Sequence, residues 1–451
     1  MANVETTDTR SSGPKLARNM TAGLLFFYVL GDVLGSGIYA LIGVVAGEVG
    51  GAFWTAFALG VGVALITGLA YAELVTRYPV AAGAALYISK AFKNDFFTFV
   101  VTFCMLAAIV TASGALALTF GGEYFKEFLD WPTLLVAIGF VALLSLINYR
   151  GISETAKTNA IMTFIELAGL LIVIATGIAV VFTGDARYEQ VVEFKGEGSI
   201  VLAILGGAAL SFFAMTGFEN AANVAEETKN APKVFPKALL GGMALAGLLY
   251  ILVAVSTSLV APYDKVAGSE GALLEVVREG PFPIPLWFFA AIALVAVTNT
   301  CLVTMVTQSR ILYGMAQEGA VPEVFAKVHP KRKTPWVGIV FTFVMVVGVL
   351  LAAGAEVATL ASASVVFLLF IYGLVIIACL KLRKDESEKA SFRAPTALLY
   401  VGIVGNAGLL VYTVLDDPSL LLYCGGLLAV GLVLWAANHV HGRRKSARTS
   451  A

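Results

Sequence analysis

Gly31-Asp32-Val33-Leu34-Gly35-Ser36-Gly37-Ile38-Tyr39 lies in the middle of the first long apolar run, residues 22–47. That run is long enough to cross a bilayer. A spanning helix satisfies its backbone groups internally, because lipid offers no replacement hydrogen bonds. This stretch nevertheless carries three glycines and a carboxylate at mid-depth. Glycine weakens a helix interior, and an ionisable group at the bilayer centre costs about 2.5 kcal/mol or more. Two readings stand. Either the small residues admit a neighbouring helix, with Asp32 paired to it, or the helix is broken there and its open N–H and C=O groups bind a ligand. The stretch alone does not separate them.

The rest of the chain supplies the setting. It has 451 residues, of which 59% are hydrophobic and only 13% charged, with a mean hydropathy of +0.87. That composition predicts an all-α polytopic membrane protein. The first 19 residues are polar and carry no apolar segment with a cleavage site, so the first run is expected to be a retained span. Cys104, Cys301, Cys379 and Cys424 all sit in apolar runs without CxxC or Cys/His spacing and read as packing residues. His329, His439 and His441 form no metal-binding pattern, so no metal and no cofactor is expected.

Twelve apolar runs can be counted, at 22–47, 52–76, 96–120, 132–149, 158–183, 200–221, 236–261, 285–309, 335–353, 356–380, 395–415 and 419–438. With the N-terminus placed in the cytoplasm, 25 Lys and Arg residues fall in cytoplasmic segments and 5 in external ones. That bias predicts twelve spans with both termini cytoplasmic. The basic clusters Lys331-Arg332-Lys333 and Arg443-Arg444-Lys445 are explained by topology and lipid headgroups, not by nucleic acid. In the loop at 261–283, Ala272-Leu273-Leu274-Glu275-Val276-Val277 reads equally as a short helix over an entrance and as plain loop.

Span 6 answers the opening stretch. Ser211-Phe212-Phe213-Ala214-Met215-Thr216-Gly217-Phe218-Glu219-Asn220 passes from apolar residues through a small, polar centre to a carboxylate. It lies five spans after the first, and five is odd, so the second set of five starts on the opposite side of the membrane. Interrupted spans at corresponding positions of two halves point to an inverted-repeat transporter with its site at the midplane. The expected organisation is a tail (1–21), a first repeat (22–183), a second repeat (200–380), two appended spans (395–438) and a second tail (439–451).

Other polar residues admit two readings each. Glu73, one turn from the end of span 2, reads first as an interfacial carboxylate and second as a gate contact. Thr111 and Ser113 in span 3 are hydroxyls of a kind that usually bond their own helix. Glu166 is two turns or more inside span 5, where function is the default reading. Thr298-Asn299-Thr300 and Thr304 lie in span 8, and Asn299 reads equally as an inter-helix contact or a site residue.

If spans 1 and 6 are each two half-helices, the half beginning at Ser36-Gly37 points open N–H groups and the positive dipole end into the cavity. That arrangement suits a carboxylate. Carbonyls left open at Val33 and between Phe213 and Thr216 would accept an ammonium group or a cation. The two sets match the ends of an α-amino acid. Phe213 or Phe218 would close over it as an aromatic gate. Asp32, Glu166 and Glu219 lie at or near the breaks without any intramembrane basic residue. Protons would neutralise them, with a bound sodium ion as the alternative, and Glu166 is the preferred coupling residue.

At these residues the chain resembles an amino acid permease of the amino acid–polyamine–organocation superfamily over residues 20–440. The resemblance rests on Gly35-Ser36-Gly37-Ile38-Tyr39, on Ala72-Glu73-Leu74 with Tyr78-Pro79, and on Phe212-Phe213-Ala214 with Gly217-Phe218-Glu219. Glu226-Glu227-Thr228-Lys229-Asn230 with Phe235-Pro236, and Ser309-Arg310 with Tyr313-Gly314-Met315-Ala316, extend it. It implies a five-plus-five inverted repeat with two spans appended. It also implies a substrate carboxylate on the amides of Ser36 and Gly37, and an ammonium on the carbonyls of Val33, Phe213 and Thr216. Thr111 and Thr304 would face the substrate side chain. Proton-coupled relatives often have a lysine where this chain has Glu166, and many have an uncharged residue in place of Asp32, so coupling is not copied from the family.

The function expected is secondary active transport of amino acids or related amines across the plasma membrane. The alternatives are a polyamine or amine transporter or exchanger, and a receptor that binds without transport. A channel would need a continuous polar lining, and an embedded enzyme a nucleophile–base or metal constellation; neither pattern is present.

Overall fold

The computed structural model describes residues 20–80, 83–151, 156–195, 198–354, 356–385 and 389–449. The tail at 1–19 and the side chains of the Arg443-Arg444-Lys445 cluster lie outside the described residues.

Described secondary structure is helical apart from one isolated bridge. In order come α1 (Ala22–Val33), α2 (Gly37–Val49), α3 (Trp54–Arg77), α4 (Gly83–Phe92), α5 (Asp95–Gly121), α6 (Glu123–Lys126), α7 (Thr133–Arg150), α8 (Ala156–Thr183) and α9 (Tyr188–Val191). Then follow α10 (Ile200–Ala214), a 3₁₀ helix (Phe218–Val224), α11 (Ala231–Val260), α12 (Tyr263–Val266), α13 (Ala272–Glu279) and α14 (Leu286–Gln317). A second 3₁₀ turn (Glu323–Ala326) leads to α15 (Trp336–Ala352), α16 (Val357–Leu382), α17 (Thr396–Asp416) and α18 (Leu420–Thr449).

Among the described residues, 10 helices are long and apolar enough to cross a membrane, and the pair α1–α2, bent by 43°, makes up to 11. Each of the apolar runs read from the sequence falls on a helix or on that bent pair. The chain is an integral membrane protein.

Burial sorts the helices. In the most apolar window of α5, 72% of residues are buried inside the protein, against 28% for α17 and 22% for α18. The last two helices therefore lie at the periphery, with Leu415 and Leu422 turned outward. α5 lies between α14 and α16, while α1 packs on α11 and α8, and α2 on α10. The bent pair is thus enclosed by helices, which is the condition for irregular backbone at membrane depth.

Two structures lock the ends of the bundle. On the side where Met20 lies, the Met20 N–H donates to the Glu227 carbonyl (3.1 Å), and the Lys229 N–H to that of Met20 (2.9 Å). The start of α1 is thereby clipped to the chain that follows the 3₁₀ helix Phe218–Val224. On the opposite side the patch beginning at Ala272 does form a helix, α13, whose Leu273, Leu274, Val276 and Val277 are buried. It packs on α2, α8, α11 and α14, and just before it the Gly268 N–H donates to the Gly43 carbonyl of α2 (2.8 Å). Burial pushes the Glu270 carboxyl in this connection upward, as does neighbouring Glu123, against the pull of Lys126. A carboxyl raised on folding contributes stability at low pH that is lost as pH rises through its folded value.

Glu73 differs from the interfacial group expected. It is 1% exposed and receives a two-pronged ion pair from Arg383, Nε to Oε1 at 2.8 Å and Nη2 to Oε2 at 2.5 Å. The Ala394 N–H also donates to Oε2 (2.8 Å), and Arg77 caps the Leu382 carbonyl at the end of α16 (2.9 Å). Depth in the sequence places Glu73 near a surface, but the chain between α16 and α17 folds over it.

Candidate functional site

The first break begins where α1 runs out of partners. The Leu34 N–H closes the last turn on Leu30 (2.7 Å), and the next helical bond begins with the Ala40 N–H on the Ser36 carbonyl (2.9 Å). The amides of Gly37, Ile38 and Tyr39 consequently open α2 with no partner among the described residues. These are the donors that a helix start leaves over, carrying the positive end of the dipole.

Two side chains from other helices hold the rest of this break. The Thr300 hydroxyl of α14 accepts the Ser36 N–H (3.1 Å). The Tyr250 hydroxyl of α11 donates to the Val33 carbonyl. Two of the backbone groups expected to meet the substrate are therefore engaged by hydroxyls here.

The second break is built differently. α10 ends in a tight turn, Met215 N–H to Phe212 carbonyl (3.0 Å) and Thr216 N–H to Phe213 carbonyl (3.1 Å). The Thr216 hydroxyl donates to the Phe213 carbonyl as well (2.7 Å). Gly217 follows at φ +109°, and its N–H is taken by the Glu219 carboxylate (2.9 Å). What continues is the seven-residue 3₁₀ helix, not a second α-helix.

The breaks touch. A Cβ on Gly37 would lie 2.6 Å from the Ala214 Cα, and one on Gly217 would lie 2.6 Å from the Asp32 carbonyl oxygen. Only glycine permits the start of α2 to meet the end of α10 and the end of α1 to meet the turn after it.

Between the breaks and helices α5, α14 and α16 lies a cavity of about 70 Å³. Among the residues expected at the site, Asp32, Val33, Ser36, Gly37, Phe213, Thr216, Thr304 and Glu219 line it. Thr111, Phe218 and Glu166 do not. Thr111 is turned into its own helix, its hydroxyl donating to the Ala107 and Ala108 carbonyls (3.0 and 2.9 Å), and α5 offers Ile109, Ala112 and Leu116 instead. Thr304 shares a hydrogen bond with the Ser113 hydroxyl (2.8 Å).

Phe218 sits beside the cavity in a buried aromatic cluster, 5.5 Å from the Tyr71 ring and 5.3 Å from that of Tyr372. Tyr87 meets Tyr71 edge-on at 6.1 Å. Glu166 lies one layer out, fully buried. Its Oε1 accepts from the Asn299 amide (3.1 Å), and its main-chain carbonyl accepts from the Tyr39 hydroxyl (3.0 Å). Asn299 itself lines the cavity, so one side chain spans the distance between Glu166 and the site.

The lining contains two carboxylates and no Lys, Arg or His. An anionic group entering here meets backbone amides, and a cationic one meets carbonyls and Asp32 or Glu219. Thr300 and Tyr250 went unassigned in the sequence. The polar triplet Thr298-Asn299-Thr300 was a usable signal for the first, whereas Tyr250 sits in an apolar run like any core aromatic.

Several characterised proteins are similar, two of them along nearly their whole length. The methylthioribose transporter of Bacillus subtilis is 26% identical over 457 residues, covering 96% of this chain and 94% of that one. The branched-chain amino acid permease BcaP of the same organism is 27% identical, covering 94% and 92%. The low-affinity putrescine importer PlaP of Escherichia coli is 25% identical over 67% and 68%. Residues 24–423, which contain both breaks and every helix around the cavity, match the amino acid permease family, and the chain belongs to that family of membrane transporters.

Proposed function

We propose that the protein is a secondary active transporter that moves an amino acid, or a related amine, by alternating access with proton coupling. One observation carries this reading: the start of α2, with the open amide of Gly37, lines a cavity that has carboxylates and carbonyls but no basic side chain. The α-carboxylate would sit on the amides near Gly37, and the ammonium by the carbonyls of the breaks with Asp32. Ile109, Ala112, Leu116 and Val303 would form an apolar wall for an uncharged side chain. The similarity to a branched-chain amino acid permease supports that substrate class.

Within this proposal the chain spans the membrane twelve times as a five-plus-five inverted repeat (22–183 and 200–380) with two appended spans (395–438). It resides in the plasma membrane with both termini cytoplasmic, an orientation that the distribution of Lys and Arg supports. Glu166 exchanges the coupling proton, and Asn299 relays its state to the site.

Purified protein in proteoliposomes tests the reading. Labelled neutral amino acids should accumulate under an imposed pH gradient without sodium, and unlabelled neutral amino acids should compete. In Glu166→Gln, accumulation should vanish while counterflow exchange persists. Binding without accumulation would make the protein a receptor, and a sodium requirement would make the carboxylates cation ligands. A second reading, an amine transporter, is favoured by Asp32 and Glu219 in the lining. It wins if a decarboxylated amine competes better than its parent amino acid.

A further inference from the structure

We propose that Thr300 is a stand-in ligand: its hydroxyl holds the Ser36 amide in the empty carrier and is displaced when a substrate carboxylate arrives. The inference rests on the carboxylate-binding reading above and adds a residue that sets both affinity and the return of the unloaded protein.

The geometry is specific about direction. The Thr300 hydroxyl donates its proton to the Ala296 carbonyl of its own helix (3.2 Å). A lone pair is then left for the Ser36 N–H (3.1 Å). The fit is close, since a Cβ on Gly35 would lie 2.6 Å from that hydroxyl oxygen. Thr300 also lines the cavity, so a ligand can reach the same amide. Threonine in a helix has two accessible χ1 positions, one of them bonding back to the preceding turn. Rotation of the side chain therefore provides a route by which the hydroxyl yields the amide without movement of α14.

The physical need follows from burial. Ser36 is fully buried, and an unsatisfied amide at membrane depth is heavily penalised. When no substrate is bound, something else must accept this N–H, and Thr300 does. The Gly37 amide has no such substitute among the described residues and, lining the cavity, stays available to a ligand. A carboxylate thus competes with the hydroxyl for one amide at the break, and removing the hydroxyl should tighten binding. The empty carrier should suffer instead, because its Ser36 amide would be bare.

Net uptake requires the empty carrier to reorient, whereas exchange does not, and that difference makes the test. Wild type, Thr300→Val, Thr300→Ala and Thr300→Ser are compared in proteoliposomes loaded or unloaded with amino acid, with the decarboxylated amine as a control competitor. In Thr300→Val, net uptake should fall about tenfold, the effect of one typical buried hydrogen bond. Exchange should fall clearly less than net uptake, and the apparent KM for the amino acid should drop. Thr300→Ser should behave as wild type, and amine competition should be unchanged in all variants. Thr300→Ala gives the same reading if the valine variant does not fold, and ligand-induced shifts in Tm, larger in the variants than in wild type, provide an independent measure. A parallel fall of exchange and net uptake, or unchanged net uptake, would overturn the proposal. So would a raised KM, which would make Thr300 a direct contact. Failure of wild type to take up amino acids would instead overturn the transport reading itself.

Discussion

The two breaks solve one problem in opposite ways. At the α1–α2 break the exposed backbone is held by side chains far along the chain, Thr300 on the Ser36 amide and Tyr250 on the Val33 carbonyl, 264 and 217 residues away. At the break after α10 the holders are neighbours, Thr216 on the Phe213 carbonyl and Glu219 on the Gly217 amide, 3 and 2 residues away. A locally capped turn keeps its shape wherever it is carried. A turn capped by other helices keeps its shape only while those helices stay in place. The first break is therefore sensitive to how α11 and α14 sit against it, and the second is not.

The largest effect should come from separating the breaks. Gly37→Val drives a side chain into the backbone at Ala214 and should abolish transport, while size-exclusion behaviour of the purified protein stays normal. Transport at the wild-type rate would show that the contact between breaks is dispensable. A smaller effect is expected from removing one distant cap. Tyr250→Phe leaves the Val33 carbonyl unsatisfied at a loss of about 1–3 kcal/mol, against about 0.5–1.5 kcal/mol for the neighbour-held bond removed by Thr216→Val. Thermal unfolding in detergent should rank them in that order, and the reverse ranking would contradict the contrast between the breaks. The smallest change should follow Glu219→Gln. The amide oxygen can still accept the Gly217 N–H, so stability should hold, whereas Glu219→Ala should lower Tm. If glutamine is as harmful as alanine, the negative charge matters and not the local cap.

This contrast also explains what could be read from the sequence. Both discontinuities were legible because glycine and small polar residues stand where an apolar helix should continue. Thr300 stood out only as part of a polar triplet, with no partner assignable, and Tyr250 did not stand out at all. Nothing near Ser36 or Val33 records which distant helix will cover them. Thr111 shows the same limit at smaller scale. α5 has no motif to fix its rotation, and one step of 100° separates a residue facing the cavity, Ala112, from one turned into the helix. Glu73 could not be placed by depth, because its partner Arg383 belongs to a connection 310 residues later. The 3₁₀ form of the segment after Gly217 was likewise outside what periodicity in a seven-residue stretch reveals.

The clip between Met20 and the Glu227–Lys229 segment reduces the degrees of freedom of the whole assembly. Two main-chain hydrogen bonds join the outer end of α1 to the chain leaving the second break, and backbone groups at that junction have no side-chain torsions with which to absorb strain. A tilt of one segment becomes a tilt of the other, so the two act as a single lever with its fulcrum where Gly37 meets Ala214 and Gly217 meets Asp32. In the transport cycle proposed above, two broken spans would then contribute one coordinate rather than two.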